Sequence, residues 1–264
     1  MSRVVWLDGR LTTTDATADR RPCGLGAFTT AGCDHGRPLF WDRHRSRLGA
    51  SLEHLGAPAL ELPSQGAMSE LLAADGRHGP ARLRLKGWRT EDGWRLEASA
   101  ADPGPVGPDA PPLNLAVLRW PGEPPPAGHK TLARQAWDRA ASAARAAGAD
   151  DALLVDDRGR LLETAVANLW LAHGPRLLTP PAPGRCLPGI MRGWLLEHAA
   201  EAGLAAAARD LTLDDLGAAD EVWVSNAVVG LRRVARVDAR TWGAWPVFDR
   251  LAALALPAPA WPRP

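Results

Sequence analysis

Residues 151–172, DALLVDDRGRLLETAVANLWLA, constrain the fold more than any other stretch. An apolar run at 152–155 is followed by Asp156-Asp157-Arg158-Gly159, whose glycine supplies the backbone freedom of a tight turn. Apolar residues return at Leu161 and Leu162 and again from Leu169. The pattern predicts a β-hairpin followed by a third strand. One carboxylate, Glu163, sits among small and apolar neighbours. An acid there must stay wet, be paired, or grip a group that needs a negative charge.

The same reading extends along the chain. Strands are expected at 4–7, near Leu11, at 82–86 with a partner at 93–98, and at 113–118. Leu48, Leu52 and Leu55 recur at helical spacing before Gly56, and a second helix is expected over 64–76. Residues 121–128, PGEPPPAG, are the strongest linker signal and place a domain boundary there, giving a first domain over 1–120 and a second over 129–264. Beyond it the pattern predicts a helix ending at Gly148, a strand at 176–180, and a rigid proline-rich loop at 180–188. A helix over 192–202 stopped by Gly203 follows, then a short helix with Thr212 as N-cap, strands at 221–224 and 234–237 around a turn at Ser225-Asn226-Ala227, and a terminal helix over 248–256.

Several functions are not expected. A nucleic-acid surface should show as a basic excess, and the formal net charge is only +1. No run approaches the roughly 18 apolar residues that span a membrane, and the N-terminus lacks the apolar core of a signal peptide, so a cytoplasmic location is expected. Cys23, Cys33 and Cys186 form neither a disulfide framework nor a metal pattern, and no metal is expected. Gly24-Leu25-Gly26 is not continued into a dinucleotide-binding GxGxxG. His44 and His129 read as structural or solvent-facing.

Four features fit one chemistry. Lys130 follows directly on the linker, and Glu163 is the lone acid of the strand segment. Pro188-Gly189-Ile190-Met191-Arg192 leads into a helix whose first N–H groups offer an anion seat. Arg47 is a guanidinium that can fork onto a phosphate. An amine, an acid and a phosphate seat are what pyridoxal 5'-phosphate requires: the amine holds the aldehyde, and the carboxylate keeps the pyridine nitrogen protonated.

The sequence resembles the fold-type IV pyridoxal phosphate enzymes, the branched-chain aminotransferase-like family. The landmarks run in order from about Val5 to Val237. They are G-x-G-x-F at 24–28, H-x-x-R-L at 44–48, K-x-L-x-R at 130–134, E-x-x-x-x-N-L at 163–169, L-P-G-I-x-R at 187–192 and E-V-x-x-S-N-A at 221–227. The resemblance implies an α+β chain of two domains, a small N-terminal one and a larger C-terminal one with a barrel-like sheet. It implies Lys130 as the lysine that carries the cofactor, Glu163 as partner of the pyridine nitrogen, and Arg47 with the N–H groups of Ile190 and Met191 at the phosphate. Asn226 and Ala227 fall in the family's second phosphate-side turn, and Thr29, Thr30 and Arg89 fall at substrate-binding positions.

Within the family, Phe28-Thr29-Thr30-Ala31 and the 189–192 and 225–227 segments lean toward 4-amino-4-deoxychorismate lyase. An aminotransferase for branched-chain or D-amino acids is the alternative, and a non-catalytic member a third. A small-molecule substrate and a homodimer are implied by the resemblance. Leu25, Ala133, Arg233 and a shortened loop leaving Gly87-Trp88-Arg89 depart from the family pattern, and they bear on substrate identity.

Overall fold

The computed structural model describes residues 2–15, 25–120 and 128–254. Cys23, Gly24, the linker residues 121–127 and the last two residues of the expected terminal helix lie outside the described residues. Two compact units are present. Among the described residues, one comprises those up to Gly104 together with His129–Ala133; the other comprises 105–120, 128 and 134–254. The division therefore differs from a single boundary at 121–128. The strand at Leu113–Arg119 hydrogen-bonds into the second unit's sheet, while Lys130 is paired into the first.

The first unit contains β1 (Ser2–Leu7), β2 (Arg10–Asp15), β3 (Gly26–Asp34), β4 (Arg37–Pro38), α1 (Trp41–His54), α2 (Gln65–Ala74), β5 (Ala81–Thr90) and β6 (Gly93–Ala101). Its six strands run antiparallel in the order β2-β1-β6-β5-β3-β4. Alternation puts Ala27, Ala31 and Cys33 of β3 and Leu83 and Leu85 of β5 in one core with Trp41, Leu48 and Leu52 of α1 and Met68, Leu71 and Leu72 of α2. Each buried leucine there contributes about 1.5–3 kcal/mol. Helix α2 starts where Ser64 accepts the N–H of Ala67. β5 is longer than the expected 82–86, because Gly87, Trp88 and Arg89 continue the ladder to β6 until Thr90 faces Gly93. That tight turn leaves no separate loop at 87–89.

Residues 130–132 lie along β3. Phe28 N–H donates to the carbonyl of Lys130 at 2.9 Å, and Leu132 N–H donates to Gly26 O at 2.8 Å. Gly26 permits this approach: a Cβ there would stand 2.6 Å from the Gly87 carbonyl oxygen and 2.6 Å from Leu132 Cδ1.

The second unit contains β7 (Leu113–Arg119), α3 (Gln135–Ala146), β8 (Asp151–Val155), β9 (Leu161–Thr164), β10 (Asn168–His173), β11 (Arg176–Thr179), α4 (Ile190–His198), β12 (Ala205–Ala208), α5 (Leu213–Ala218), β13 (Glu221–Asn226), β14 (Gly230–Val237), β15 (Arg240–Thr241) and α6 (Pro246–Ala252). The sheet path is β12-β11-β10-β13-β14-β7-β8-β9, with β15 on β14. β7 runs parallel to both β8 and β14, and β11 parallel to β12. The far end of the path curls back: Thr164 N–H of β9 donates to Ala167 O, just before β10, at 2.8 Å. Leu153, Leu161, Leu169, Leu171, Val222 and Val224 fill one face, and α3 covers Ala152, Leu154 and Leu162 on the other.

The hairpin and third strand at 151–172 form as expected. Other boundaries move. α4 begins at Ile190, because Gly189 is its N-cap, and its last turn tightens into a 3-10 turn at Ala199–Ala202 before Gly203. β13 continues through Asn226, so the turn falls at 227–229. The last helix starts at Pro246, where a missing N–H costs nothing, and Glu221 accepts the N–H groups of Val247 and Phe248.

Two outcomes are expected. Gly26→Ala should lose about 1–3 kcal/mol by overpacking, read as a lower urea midpoint, while Gly79→Ala, where a Cβ meets nothing within 4 Å, should leave it unchanged. Asp215 closes the capping box of α5 with Thr212. The Arg209 guanidinium first, then the Thr212 donors, hold its carboxyl down from 3.8 to about 2 against the opposing effect of burial. A depressed folded-state pKa gives stability that is present above pH 3.8 and lost as pH falls toward about 2. Asp215→Asn should flatten that acid limb of the stability curve, measured by denaturant titration at stepped pH.

Candidate functional site

In the first unit, successive residues of β3 face opposite ways. Phe28 pairs with Lys86 and Thr30 with Arg84, so these four share the sheet face turned away from α1. Lys130 joins them, its Nζ 4.9 Å from the centre of the Phe28 ring, and the Arg84 guanidinium lies 5.0 Å from the same ring. The sequence has two lysines, Lys86 and Lys130. Lys86 is nearly buried and its Nζ is 2.9 Å from Glu97 Oε1. Lys130 is partly exposed.

Thr29 faces the other way. It is wholly buried, and its hydroxyl lies 2.6 Å from His44 Nδ1 while accepting from Arg47 Nη2 at 3.1 Å. Expected together at a substrate, Thr29 and Thr30 are divided between two faces by the strand period. Arg89 is exposed, and alternation puts it on the β5 face that carries Leu83, Leu85 and Gly87 rather than that of Lys86. His44, read as structural or solvent-facing, is fully buried; burial first, then the charges of Arg47 and Lys130, push its pKa well below the usual histidine value.

In the second unit, Glu163 is 7% exposed at the end of β9. Its Oε2 accepts the Leu187 N–H at 3.0 Å, and its Oε1 accepts Trp137 Nε1–H at 3.3 Å. These donors offset the cost of burying a carboxylate. The Leu187 peptide is held from both ends, since its carbonyl accepts Asn168 Nδ2–H at 2.9 Å. Gly189 follows without a side chain; a Cβ there would fall 1.9 Å from Asn168 Oδ1. The first N–H groups of α4, at Ile190 and Met191, thus follow directly on the loop that carries Leu187, Glu163's partner. Asn226 ends β13 and stands one residue past Ser225, which pairs with Asn168. Its Oδ1 accepts the N–H groups of Val228 and Val229, and its Nδ2 donates to Val166 O, which fixes the turn that contains Ala227.

In the second unit Glu163 and Asn168 share the Leu187 peptide that leads to Ile190 and Met191, and Asn226 is next to the strand partner of Asn168; in the first, Lys130, Arg47 and both threonines lie along β3 on its two faces. Trp137 and the Leu187 N–H had no signal in the sequence, and Asn168 was visible only as the motif's asparagine. Burial pushes the thiols of Cys33 and Cys186 up to about 12, so neither is a nucleophile near neutral pH.

The chain belongs to the class IV aminotransferase family: the family model described as "Amino-transferase class IV" matches residues 26–237. The family is one of pyridoxal-phosphate enzymes. Over 92 residues the chain is 35% identical to the aminodeoxychorismate lyase of Vibrio harveyi, a stretch that is 34% of this chain and 33% of that protein. The matched segments span about a third or less of the curated relatives, down to 17% of a branched-chain-amino-acid aminotransferase-like protein of Arabidopsis thaliana. Among solved structures, the branched-chain aminotransferase of Thermoproteus uzoniensis aligns with a TM-score of 0.83 at 21% identity, covering 95% of this chain and 92% of that one. A provisionally assigned 4-amino-4-deoxychorismate lyase from Legionella pneumophila aligns with a TM-score of 0.78 at 28% identity, covering 92% and 94%. The shared fold is the mixed α+β architecture expected from the sequence.

Gly189→Ala should displace Asn168, release the Leu187 peptide and lower stability by about 1–3 kcal/mol. Thermal unfolding of the variant beside wild type checks this, with an unshifted midpoint as the contrary result.

Proposed function

We propose that this chain is a pyridoxal-phosphate-dependent 4-amino-4-deoxychorismate lyase, converting aminodeoxychorismate to 4-aminobenzoate and pyruvate for folate synthesis. The observation that carries the cofactor assignment is the choice between two lysines, one tied to Glu97 and the other set over Phe28. The residues fit the group by their chemistry: an amine for the aldehyde, a buried carboxylate that accepts the Leu187 and Trp137 N–H groups, a guanidinium, and a start of α4 without a side-chain cap. Lys130 would hold the aldehyde carbon, Glu163 the pyridine N–H, and Arg47 with the Ile190 and Met191 N–H groups the phosphate. Bound there, pyridoxal phosphate supplies an electron sink next to the amine-bearing carbon of the substrate.

Lys130 then acts as general base and acid. With substrate bound, its Nζ would take the proton from the amine-bearing carbon and deliver it to the methylene carbon of the enolpyruvyl group. The carbon–oxygen bond to the enolpyruvyl group breaks, pyruvate departs, and the six-membered ring becomes aromatic. Atoms balance without an added co-substrate. Phe28-Thr29-Thr30-Ala31 and the likeness to lyases from Vibrio and Legionella support this reading. The aminotransferase alternative is supported by the branched-chain relatives; there, Lys130 would return the same proton to the cofactor carbon. Within the lyase reading we place the protein in the cytoplasm as a homodimer.

Purified protein given aminodeoxychorismate and no 2-oxo acid should release pyruvate and 4-aminobenzoate in equal amounts. Turnover that requires an added 2-oxo acid would assign it as an aminotransferase. Lys130→Ala should lower kcat by at least about 10²–10⁴-fold and abolish the near-visible absorbance band of bound cofactor. A variant that keeps the band removes Lys130 from its role.

A further inference from the structure

Thr29 is wholly buried, and its hydroxyl is the meeting point of His44 and Arg47. Arg47 Nη2 donates to Oγ1 at 3.1 Å. The same oxygen lies 2.6 Å from His44 Nδ1, in a hydrogen bond whose donor is set by the ring tautomer. Burial first, then the Arg47 and Lys130 charges, push the ring's pKa well below the usual histidine value, which keeps it neutral. His44 Nε2 is buried with no hydrogen-bond partner among the described residues. A leucine at position 44 would avoid that desolvation cost, so what the histidine provides lies on its other nitrogen.

We propose that Thr29 and His44 are positioning residues that act through Arg47, anchoring one guanidinium N–H so that the remaining donors meet a phosphate monoester dianion. This rests on the cofactor reading above and assigns to Thr29 a role behind the phosphate in place of substrate contact. The relay runs His44 to Thr29 to Arg47, and only Arg47 touches the anion. Loss of the Thr29 oxygen removes one anchor of the guanidinium, which weakens its hold on a phosphate and leaves contacts to the pyridine ring unaltered.

The test compares binding of pyridoxal 5'-phosphate with that of pyridoxal, which lacks the phosphate, by equilibrium dialysis on Thr29→Val, Thr29→Ser, His44→Leu and the T29V/H44L pair. Thr29→Val should raise Kd for the phosphate form about tenfold, the scale of one hydrogen bond to a charged group, and change that for pyridoxal less than about twofold. Thr29→Ser, which keeps the hydroxyl and folds even where valine does not, should retain wild-type preference for the phosphate form. His44→Leu should move in the same direction as Thr29→Val, and the pair should bind no worse than Thr29→Val alone, since the two act in series. Equal weakening toward both probes, no weakening in Thr29→Val, loss of preference in Thr29→Ser, or additive effects in the pair would each overturn the proposal. Wild-type protein that takes up neither probe overturns the cofactor reading itself, an outcome distinct from these.

Discussion

Two backbone hydrogen bonds decide which face of the first unit's sheet Lys130 takes. Phe28 and Leu132 donate the N–H groups that lay residues 130–132 along β3, far in sequence from that strand. A strand paired in register has no freedom in which face its side chains take. Lys130 must therefore share a face with Phe28, and the amine comes to rest over an aromatic ring beside Arg84. The alternate residues go to α1, where Thr29 joins His44 and Arg47. Everything depends on Gly26, because any side chain there meets the Gly87 carbonyl.

The second unit solves a different problem, the burial of a carboxylate. Glu163 has both oxygens supplied with N–H donors, one from a peptide and one from an indole. The peptide donor is itself clamped by Asn168, against whose side chain Gly189 closes before α4 begins. An acid and a helix N-terminus are thus fixed by one loop, and a shift of that loop moves both.

Much of this was legible in the sequence. The hairpin at 151–172, the leucine stripe of α1 and the capping threonine of α5 follow from period and turn chemistry. What escaped has physical causes. β12 is four alanines, with neither alternation nor β-branching to mark it. The parallel pairings of β7 join segments far apart in the chain, and no local pattern encodes a long-range partner. Ser225 and Asn226 carry turn chemistry but are drawn into β13 by pairing with β10 and β14. Thr29 and Thr30 look alike in the sequence; only the direction of β3 sends one to the core and the other to the Lys130 face. Trp137 meets Glu163 across 26 positions, a contact with no sequence signature.

The central claim is that Lys130, and not Lys86, is the residue that bonds to the aldehyde. Borohydride reduction of protein loaded with pyridoxal phosphate, followed by digestion and mass mapping, fixes the label to a residue. The account predicts a single pyridoxyl adduct on the peptide containing Lys130 and an unmodified Lys86. An adduct on Lys86, or none on either lysine, would contradict it.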